Sequence, residues 1–226
     1  MKSIVLLSGG LDSAVSLALA IRKGLKVKSA LTFDYGQKSA RQEIRSARFL
    51  CRKYHIKHRI FNLKWLGKLA ANPLTDKTKP IPHCGRQSPP LLSSPRWGEG
   101  RVRGDFYSSH LVWIPNRNAL FINIAASFAE ALGYRYIITG FNKEEAVNFP
   151  DNSIPFINAV NQTLKYSTLK GNVKVVSFTA KMDKKQMTSQ ARKLGLPLDK
   201  LWSCYEGGKQ PCGVCESCHH RAAPTL

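Results

Sequence analysis

Hydrophobic and polar positions alternate along the chain in two ways, as short apolar runs and as longer stretches with helical spacing. The short runs predict strands, and the longer stretches predict helices. The predicted strands cover residues 3–7, 27–33, 57–63, a stretch that begins at Leu111, 136–139 and 173–178, and the predicted helices cover residues 11–23, 38–54, 118–132, 154–166 and 184–194. Strands that alternate with helices favour right-handed crossovers. We therefore expect an α/β fold with a Rossmann-like parallel sheet.

The pattern is interrupted between residues 79 and 105, where five prolines occur among Gly, Ser and Arg. No apolar periodicity continues through this stretch, which predicts a flexible insertion. We expect one domain over residues 1–200, interrupted by this insertion. A short C-terminal segment, residues 201–226, follows it and contains four of the six cysteines.

The composition is that of a globular protein, with 226 residues of which 43% are hydrophobic. No apolar run reaches the roughly 18 residues that a membrane span needs. The apolar N-terminal stretch is divided by Ser8, Gly9, Gly10 and Asp12, which argues against a signal peptide. We therefore expect a cytoplasmic protein without a membrane partner.

The charge balance is strongly basic, with 35 Lys and Arg against 14 Asp and Glu, a net charge of +21. Arg41, Arg45, Arg48 and Arg52 follow one another at 4-3-4 spacing, which predicts a basic ridge on a helix. Such a ridge can face water, a partner protein or RNA, and a solvated face is the favoured interpretation. The aromatic residues that would stack on single-stranded nucleic acid do not alternate with it. Nucleic acid is therefore not the expected partner.

A glycine-rich hexapeptide stands where the first strand turns into the first helix. Its residues are Ser8, Gly9, Gly10, Leu11, Asp12 and Ser13. Glycines let the backbone approach a ligand closely, and free N–H groups at a helix start favour phosphate. No lysine follows the glycines, so the loop is not a Walker A loop. The hexapeptide therefore predicts a phosphate site of another kind.

Four cysteines near the C-terminus have the spacing of a metal site, namely Cys204, Cys212, Cys215 and Cys218. Four thiolates form a closed tetrahedral site, which is typical of structural zinc. An iron–sulfur cluster uses the same ligands, and reduced cysteines in a flexible tail are a further alternative. We expect a zinc-binding segment with four cysteine ligands.

The hexapeptide is similar to the SGGxDS signature of the PP-loop ATP pyrophosphatases, which cleave ATP between its α- and β-phosphates. Three further segments occur in order: 33–37 (FDYGQ), 114–118 (IPNRN) and 202–205 (WSCY), the last of them ahead of the cysteines. Together the four segments resemble the 7-cyano-7-deazaguanine synthase family within that superfamily. The resemblance runs from residue 3 to about residue 221 and fails across 79–105. It implies an adenine nucleotide alpha hydrolase-like fold.

The resemblance also implies a reaction. A ligase of this family adenylates the carboxylate of 7-carboxy-7-deazaguanine with ATP, and ammonia displaces AMP to form a C–N bond. A second ATP activates the amide, which becomes the nitrile 7-cyano-7-deazaguanine (preQ0) of queuosine biosynthesis. Mg²⁺ would offset phosphate charge, zinc would be structural, and a homodimer is implied.

The resemblance also implies which residues form the site, by their positions in the matching segments. The implied catalytic residues are Ser8, Asp12, Ser13, Arg117 and Lys184. The implied ATP-binding residues are the hexapeptide 8–13 with Phe33, Tyr35, Gln37 and Asn118, and the implied substrate-binding residues are Gly140, Asn142 and Asp151. Arg117 is the candidate for pairing with a phosphate or with the substrate carboxylate.

Two alternatives remain open. A PP-loop tRNA-modifying enzyme would put the basic surface to use, but no segment is long enough for a separate RNA-binding fold. A non-catalytic, zinc-containing nucleic-acid-binding module is the other. Salt-dependent RNA binding would favour that module, whereas the intact phosphate loop argues against it.

Overall fold

The computed structural model describes residues 1–82 and 111–222, with side chains as far as His219. The strands are β1 (Lys2–Leu6), β2 (Lys26–Asp34), β3 (Lys57–Asn62), β4 (Tyr136–Thr139) and β5 (Lys174–Ser177). The α-helices are α1 (Leu11–Arg22), α2 (Ala40–Lys53), α3 (Lys64–Ala70), α4 (Arg117–Ala131), α5 (Glu145–Asn148), α6 (Ile154–Ser167), α7 (Lys184–Lys193) and α8 (Glu216–Ala222). Two 3₁₀ turns cover Pro150–Asn152 and Leu198–Lys200.

The five described strands form one parallel sheet in the order β3-β2-β1-β4-β5. Strand β1 is central, and its residue Val5 is in register with Ala30 of β2 and Ile138 of β4. The chain therefore runs outward from β1 in one direction and then reverses to the other side. In such sheets ligands bind beyond the carboxyl ends of the strands at the point of reversal.

Alternate residues of each strand face opposite sides of the sheet, and both sides are covered. Val5, Ala30 and Ile138 pack with α1, α2 and α7 on one face. Ile4 and Ile137 pack with α4 and α6 on the other. Because both faces are buried, the inner strands β1 and β4 consist of short apolar runs, as the sequence predicted. The edge strand β3 is more polar and has no buried residue.

Local sequence explains where the helices that border the site begin. Asn116 precedes α4 with φ of 55°, a left-handed conformation that Asn tolerates better than most residues. Asp183 caps α7 through a capping box with Gln186. These two starts place Arg117 and Lys184 at the first positions of their helices.

The expected α/β fold with a parallel sheet is confirmed, but the strand expected to begin at Leu111 is wrong. Residues 112–116 form no strand; Val112 and Ile114 are buried in an irregular segment beside Tyr35. Because Val112 and Ile114 alternate with the more exposed positions 113 and 115, this segment has the two-residue burial period that is typical of a strand. The predicted insertion lies outside the described residues except for its first four positions. Within the described parts, no helix has the length and apolar character that crossing a membrane requires.

Candidate nucleotide site

A cavity of about 280 Å³ opens beyond the carboxyl ends of β1, β2 and β4. It lies at the reversal point of the strand order, where the fold predicts a ligand. Residues from the phosphate loop, the end of β2, the start of α4, the end of β4 and the C-terminal segment line it. Its polar lining residues include Ser8, Asp12, Ser13, Ser39, Glu43, Arg117, Asn118, Glu145, Lys184, Ser203 and Ser217.

The phosphate loop, residues 8–13, joins β1 to α1 with its hydroxyl groups facing one another. Ser8 Oγ lies 3.2 Å from Ser13 Oγ, and Ser13 Oγ donates to the Gly10 carbonyl at 3.2 Å. Gly10 is the N-cap of α1, and the helix start has no side-chain cap. The first-turn N–H groups are therefore available to an anion, and the two hydroxyls can rotate to donate to it.

Two glycines allow close contacts around the phosphate loop. A Cβ at Gly9, whose φ is +81°, would lie 2.7 Å from the Glu43 carbonyl oxygen. A Cβ at Gly140 would lie 2.6 Å from the backbone nitrogen of Ser13. The loop is thus held between α2 and the end of β4, and neither position can accept a side chain without movement.

One lysine joins two carboxylates at the edge of the cavity. Lys184 Nζ donates to Asp12 Oδ2 at 2.6 Å and to Glu145 Oε1 at 2.9 Å. Asn142 Nδ2 also donates to Asp12 Oδ2, at 3.2 Å. Burial raises the pKa of Asp12 to about 7, and Lys184 opposes this shift. Burial lowers the pKa of Lys184, but the two carboxylates outweigh burial and raise it overall, so the ammonium stays charged.

The other oxygen of Asp12 is buried and has no hydrogen-bond partner among the described residues. Asp12 lines the cavity beside the phosphate loop. An unsatisfied carboxylate oxygen next to a phosphate site is the type of ligand that Mg²⁺ prefers. The residues present therefore fit a Mg²⁺ ion held through Asp12.

Arg117 extends into the cavity from the start of α4. Its guanidinium donates to Tyr35 Oη at 3.3 Å and lies 5.5 Å from the Tyr35 ring centre. No carboxylate of the described chain comes within 4 Å of it. Burial lowers the pKa of Arg117, but Tyr35 and Asp151 outweigh burial, so the pKa is raised overall and the charge is kept. A charged guanidinium without an anionic partner at a cavity wall is suited to bind an anion.

A third carboxylate, Glu43, lines the cavity from α2. Ser39 Oγ donates to its Oε1 at 2.5 Å, and Gln37 Nε2 donates to its Oε2 at 2.9 Å. The orientation of Gln37 is fixed, because its Oε1 accepts from the Tyr35 N–H at 2.9 Å. Burial raises the pKa of Glu43. Both donors to this carboxylate are neutral.

The four cysteines expected to bind metal, Cys204, Cys212, Cys215 and Cys218, lie together as the sequence predicted. Their Sγ atoms all lie within 4.8 Å of one another. The Cys212 and Cys218 sulfurs are 3.9 Å apart, close to the roughly 3.8 Å of a tetrahedral zinc with 2.3 Å bonds. Burial raises the pKa of the Cys204 thiol to about 11, so a cation is needed to hold it as thiolate. The cluster therefore fits a structural metal.

The segment that contains the cysteines also forms a wall of the cavity. The backbone N–H of Trp202 donates to the Gly9 carbonyl at 3.1 Å, and the side-chain amide of Gln42 donates to the Gly208 carbonyl at 2.7 Å. Trp202, Tyr205 and Ser217 line the cavity. The cysteine cluster and the phosphate loop are therefore parts of one site.

Most of the site residues expected from the sequence come together here. The expected residues that line the cavity are Ser8, Gly10, Leu11, Asp12, Ser13, Phe33, Tyr35, Arg117, Asn118, Gly140 and Lys184. Those that lie behind this lining are Gly9, Gln37, Asn142 and Asp151. Of these, Gln37 and Asn142 support lining residues, and Asp151 accepts a hydrogen bond from Asn118 at 3.4 Å through its carbonyl. Base recognition by Asp151 stays a prediction.

Sequence reasoning missed two lining carboxylates, Glu43 and Glu145. Glu43 had a usable signal, because it lies on the apolar side of α2, four residues before the buried Ala47. Glu145 had none, since its contact with Lys184 depends on two distant segments meeting.

A parallel sheet with a glycine-rich loop between its first strand and first helix defines the class of nucleotide-binding α/β proteins. Within this class the chain belongs to the QueC family: the family model described as "Queuosine biosynthesis protein QueC" matches residues 2–224. The family resemblance expected from the motifs is therefore confirmed.

Similar proteins cover nearly the whole chain. A "7-cyano-7-deazaguanine synthase" of Desulforudis audaxviator is 46% identical over 219 residues, which cover 96% of this chain and 93% of that protein. A 7-cyano-7-deazaguanine synthase of Carboxydothermus hydrogenoformans is 47% identical over 218 residues, which cover 96% of this chain and 94% of that protein. An archaeal one, of Methanosarcina mazei, is 41% identical over 227 residues, covering 98% and 92%.

Proposed function

We propose that the chain converts 7-carboxy-7-deazaguanine and ammonia to 7-cyano-7-deazaguanine at the expense of ATP, as a ligase that forms a C–N bond. The names of its relatives support the product. The observation that carries the chemistry is the cavity in which the phosphate loop, Lys184 and Arg117 converge. The helix N-terminus of the loop, the Arg117 guanidinium and a lysine beside a candidate Mg²⁺ ligand suit a reaction whose substrate and leaving group are both anions.

The first step would be attack of the substrate carboxylate on the α-phosphorus of ATP. The phosphate loop would hold the β- and γ-phosphates through its N–H groups and the hydroxyls of Ser8 and Ser13. Lys184 would remain charged and offset the charge that develops on departing pyrophosphate. Asp12 would hold Mg²⁺ through its unpartnered oxygen. When bound, the ion would neutralise phosphate charge.

Arg117 would orient the second anion. Its guanidinium is stacked against Tyr35 and faces the cavity, which favours a bidentate pair with the substrate carboxylate or with the α-phosphate. Phe33 and Tyr35 would lie against the adenosine, with Gln37 holding the backbone of Tyr35 in place. Gly140, Asn142 and Asp151 would form the side of the site that receives the deazaguanine ring.

The cysteine cluster would hold zinc. Four thiolate ligands leave no open position, so the metal would order the chain and take no part in catalysis. Its role would be to fix Trp202 and Tyr205 as a wall of the cavity. A cytoplasmic homodimer, implied by the family resemblance, completes the proposal, and light scattering on the zinc-loaded protein checks the dimer.

AMP release from ATP tests the proposal, with zinc-loaded protein, ammonia and 7-carboxy-7-deazaguanine. We expect AMP that depends on the purine and a product with the mass of the nitrile. AMP that appears only after addition of tRNA would instead favour the tRNA-modifying alternative. Folded, zinc-loaded protein that releases no AMP would contradict the proposal.

A further inference from the structure

Among the carboxylates that line the cavity, Glu43 is distinguished by its partners. Asp12 and Glu145 both pair with Lys184. Glu43 accepts hydrogen bonds from Ser39 and Gln37 only, and no cationic side chain of the described residues lies within 4 Å of it. A partly buried carboxylate whose hydrogen-bond donors are both neutral has no directly paired cation, which favours the binding of one.

The position of Glu43 limits what that cation can be. The turn of α2 that carries Glu43 packs against the phosphate loop, since a Cβ at Gly9 would lie 2.7 Å from the Glu43 carbonyl oxygen. Glu43 lines the same cavity as the phosphate loop and Arg117, and it interacts electrostatically with Arg117. A carboxylate repels phosphates and the charged phosphate of an acyl adenylate, so a small cation is a suitable partner for it.

The proposed reaction uses one small cation as a substrate. Ammonia exists mainly as ammonium at neutral pH, and ammonium has no lone pair with which to attack an acyl carbon. We propose that Glu43 binds ammonium and removes the proton that prevents the nitrogen from attacking the acyl adenylate. This proposal rests on the proposed function. Glu43 is then a catalytic residue of the amide-forming step.

The step balances in atoms and charge. The Glu43 carboxylate takes one proton from ammonium, and the freed lone pair forms the C–N bond at the acyl carbon. The C–O bond to AMP breaks and AMP leaves with that electron pair, while the nitrogen gives a second proton to solvent. Burial raises the pKa of Glu43 and Asp34 adds to the rise, whereas the hydrogen bonds from Ser39 and Gln37 and the charge of Arg117 oppose it. A higher pKa makes Glu43 a better proton acceptor.

Glu43→Gln is a suitable variant because the surroundings can accept an amide. Its oxygen can keep the bond from Gln37 Nε2, whose orientation Tyr35 fixes. Its nitrogen then faces Ser39 Oγ, and that hydroxyl can rotate to accept. The variant therefore removes the charge and the base with little change of shape. Asp199→Asn, an exposed carboxylate paired with Lys200, is the matched control.

The test separates the two halves of the reaction. Isotope exchange between ATP and pyrophosphate, with 7-carboxy-7-deazaguanine and without ammonia, measures adenylation alone. We expect Glu43→Gln to keep exchange near the wild-type rate and to lose roughly 100-fold in ammonia-dependent amide and nitrile formation. Hydroxylamine, which is uncharged at neutral pH, should restore acyl transfer in the variant, giving the hydroxamate near the wild-type rate.

Other outcomes overturn the inference. If Glu43→Gln lowers exchange together with amide formation, Glu43 serves adenylation, for example through Mg²⁺ or the purine ring, and the ammonium role is wrong. If hydroxylamine transfer falls as far as ammonia transfer, the base role is wrong. Wild-type protein without purine-dependent exchange overturns the proposed function first, and this inference with it. Thermal unfolding of all three proteins checks that the comparison is between folded chains.

Discussion

Lys184 Nζ lies 2.6 Å from Asp12 Oδ2, which joins the phosphate loop to the start of α7 across 172 residues of sequence. The pair stands at the cavity edge with each side chain about one-fifth exposed. Because Asp12 leaves its other oxygen unpartnered, the lysine balances the carboxylate without using up its capacity for a metal. In the proposed complex with ATP, the pair would therefore place one cation and one potential Mg²⁺ ligand beside the same phosphates.

Replacing Lys184 tests that arrangement. Lys184→Gln should lower AMP formation about 10²–10³-fold, because the charge on departing pyrophosphate loses a fixed cation. The matched control is Lys185→Gln, the next and exposed residue of α7, which should keep wild-type rates. Equal losses in the two variants would mean that general charge, and not the contact with Asp12, matters.

Arg117 offers a second test, which also decides the anion it binds. Arg117→Lys removes the fork geometry and should cost about 2 kcal/mol, roughly 30-fold in affinity, for that anion. Calorimetric titration with ATP and with 7-carboxy-7-deazaguanine, each separately, shows which affinity falls.

Arg135→Lys, an exposed arginine outside the cavity lining, is the control for Arg117 and should bind both ligands as the wild type does. If Arg117→Lys binds both ligands unchanged, Arg117 has no role as an anion partner.

The burial of His58 leads to a prediction of how the free energy of unfolding depends on pH. Burial, with Arg48 adding to it, lowers the pKa of His58 below 6.5 in the folded state. Between the folded and unfolded pKa values the unfolded chain binds more protons, so this contribution is present above pH 6.5 and is lost as pH falls through the folded pKa. Urea unfolding of the wild type should lose more stability between pH 7.5 and pH 5.5 than that of His58→Gln. Equal losses would contradict the prediction.

The architecture could be predicted because the sheet is buried on both faces. Strands such as β1 and β4 then appear in the sequence as short apolar runs. The right-handedness of strand–helix–strand connections then limits the side of the sheet on which each helix packs. Val112 and Ile114 misled the prediction because a loop that buries every second residue has the same period as a strand. Helix α3 was not predicted because its seven residues, about two helical turns, carry too little periodic pattern.

The site was predictable where chemistry is local in sequence. The phosphate loop and the four cysteines are recognised by spacing within a few residues. The contact of Lys184 with Asp12 and Glu145 depends on three separate segments, so spacing contains no trace of it. Glu43 was hidden for another reason, since an acidic residue on a helix is normally interpreted as solvated.

The metal cluster and the cavity wall are coupled, which predicts the effect of metal removal. Cys204→Ser should lose zinc and weaken ATP binding, because Trp202, two residues earlier, donates to the carbonyl of Gly9 in the phosphate loop. Metal analysis should give one zinc per wild-type chain, and calorimetry measures the ATP affinity. Cys51→Ala, which changes a buried thiol outside the cluster, should keep its zinc. A zinc-free protein with wild-type ATP affinity would show that the wall does not need the metal.

Gly140 tests the close contact that shapes the phosphate loop. In Gly140→Ala the new Cβ would lie 2.6 Å from Ser13 N and 2.8 Å from Ser13 Cα, so the first turn of α1 must move away from β4. We expect a loss of about 1–3 kcal/mol in unfolding free energy, measured with urea, and weaker ATP binding because the loop N–H groups move with the helix. Gly133→Asn is the matched control, since Gly133 has φ of +64° with open space around it and Asn tolerates that conformation. It should leave ATP affinity unchanged. Wild-type ATP affinity in Gly140→Ala would mean that the phosphate-binding geometry does not depend on this contact.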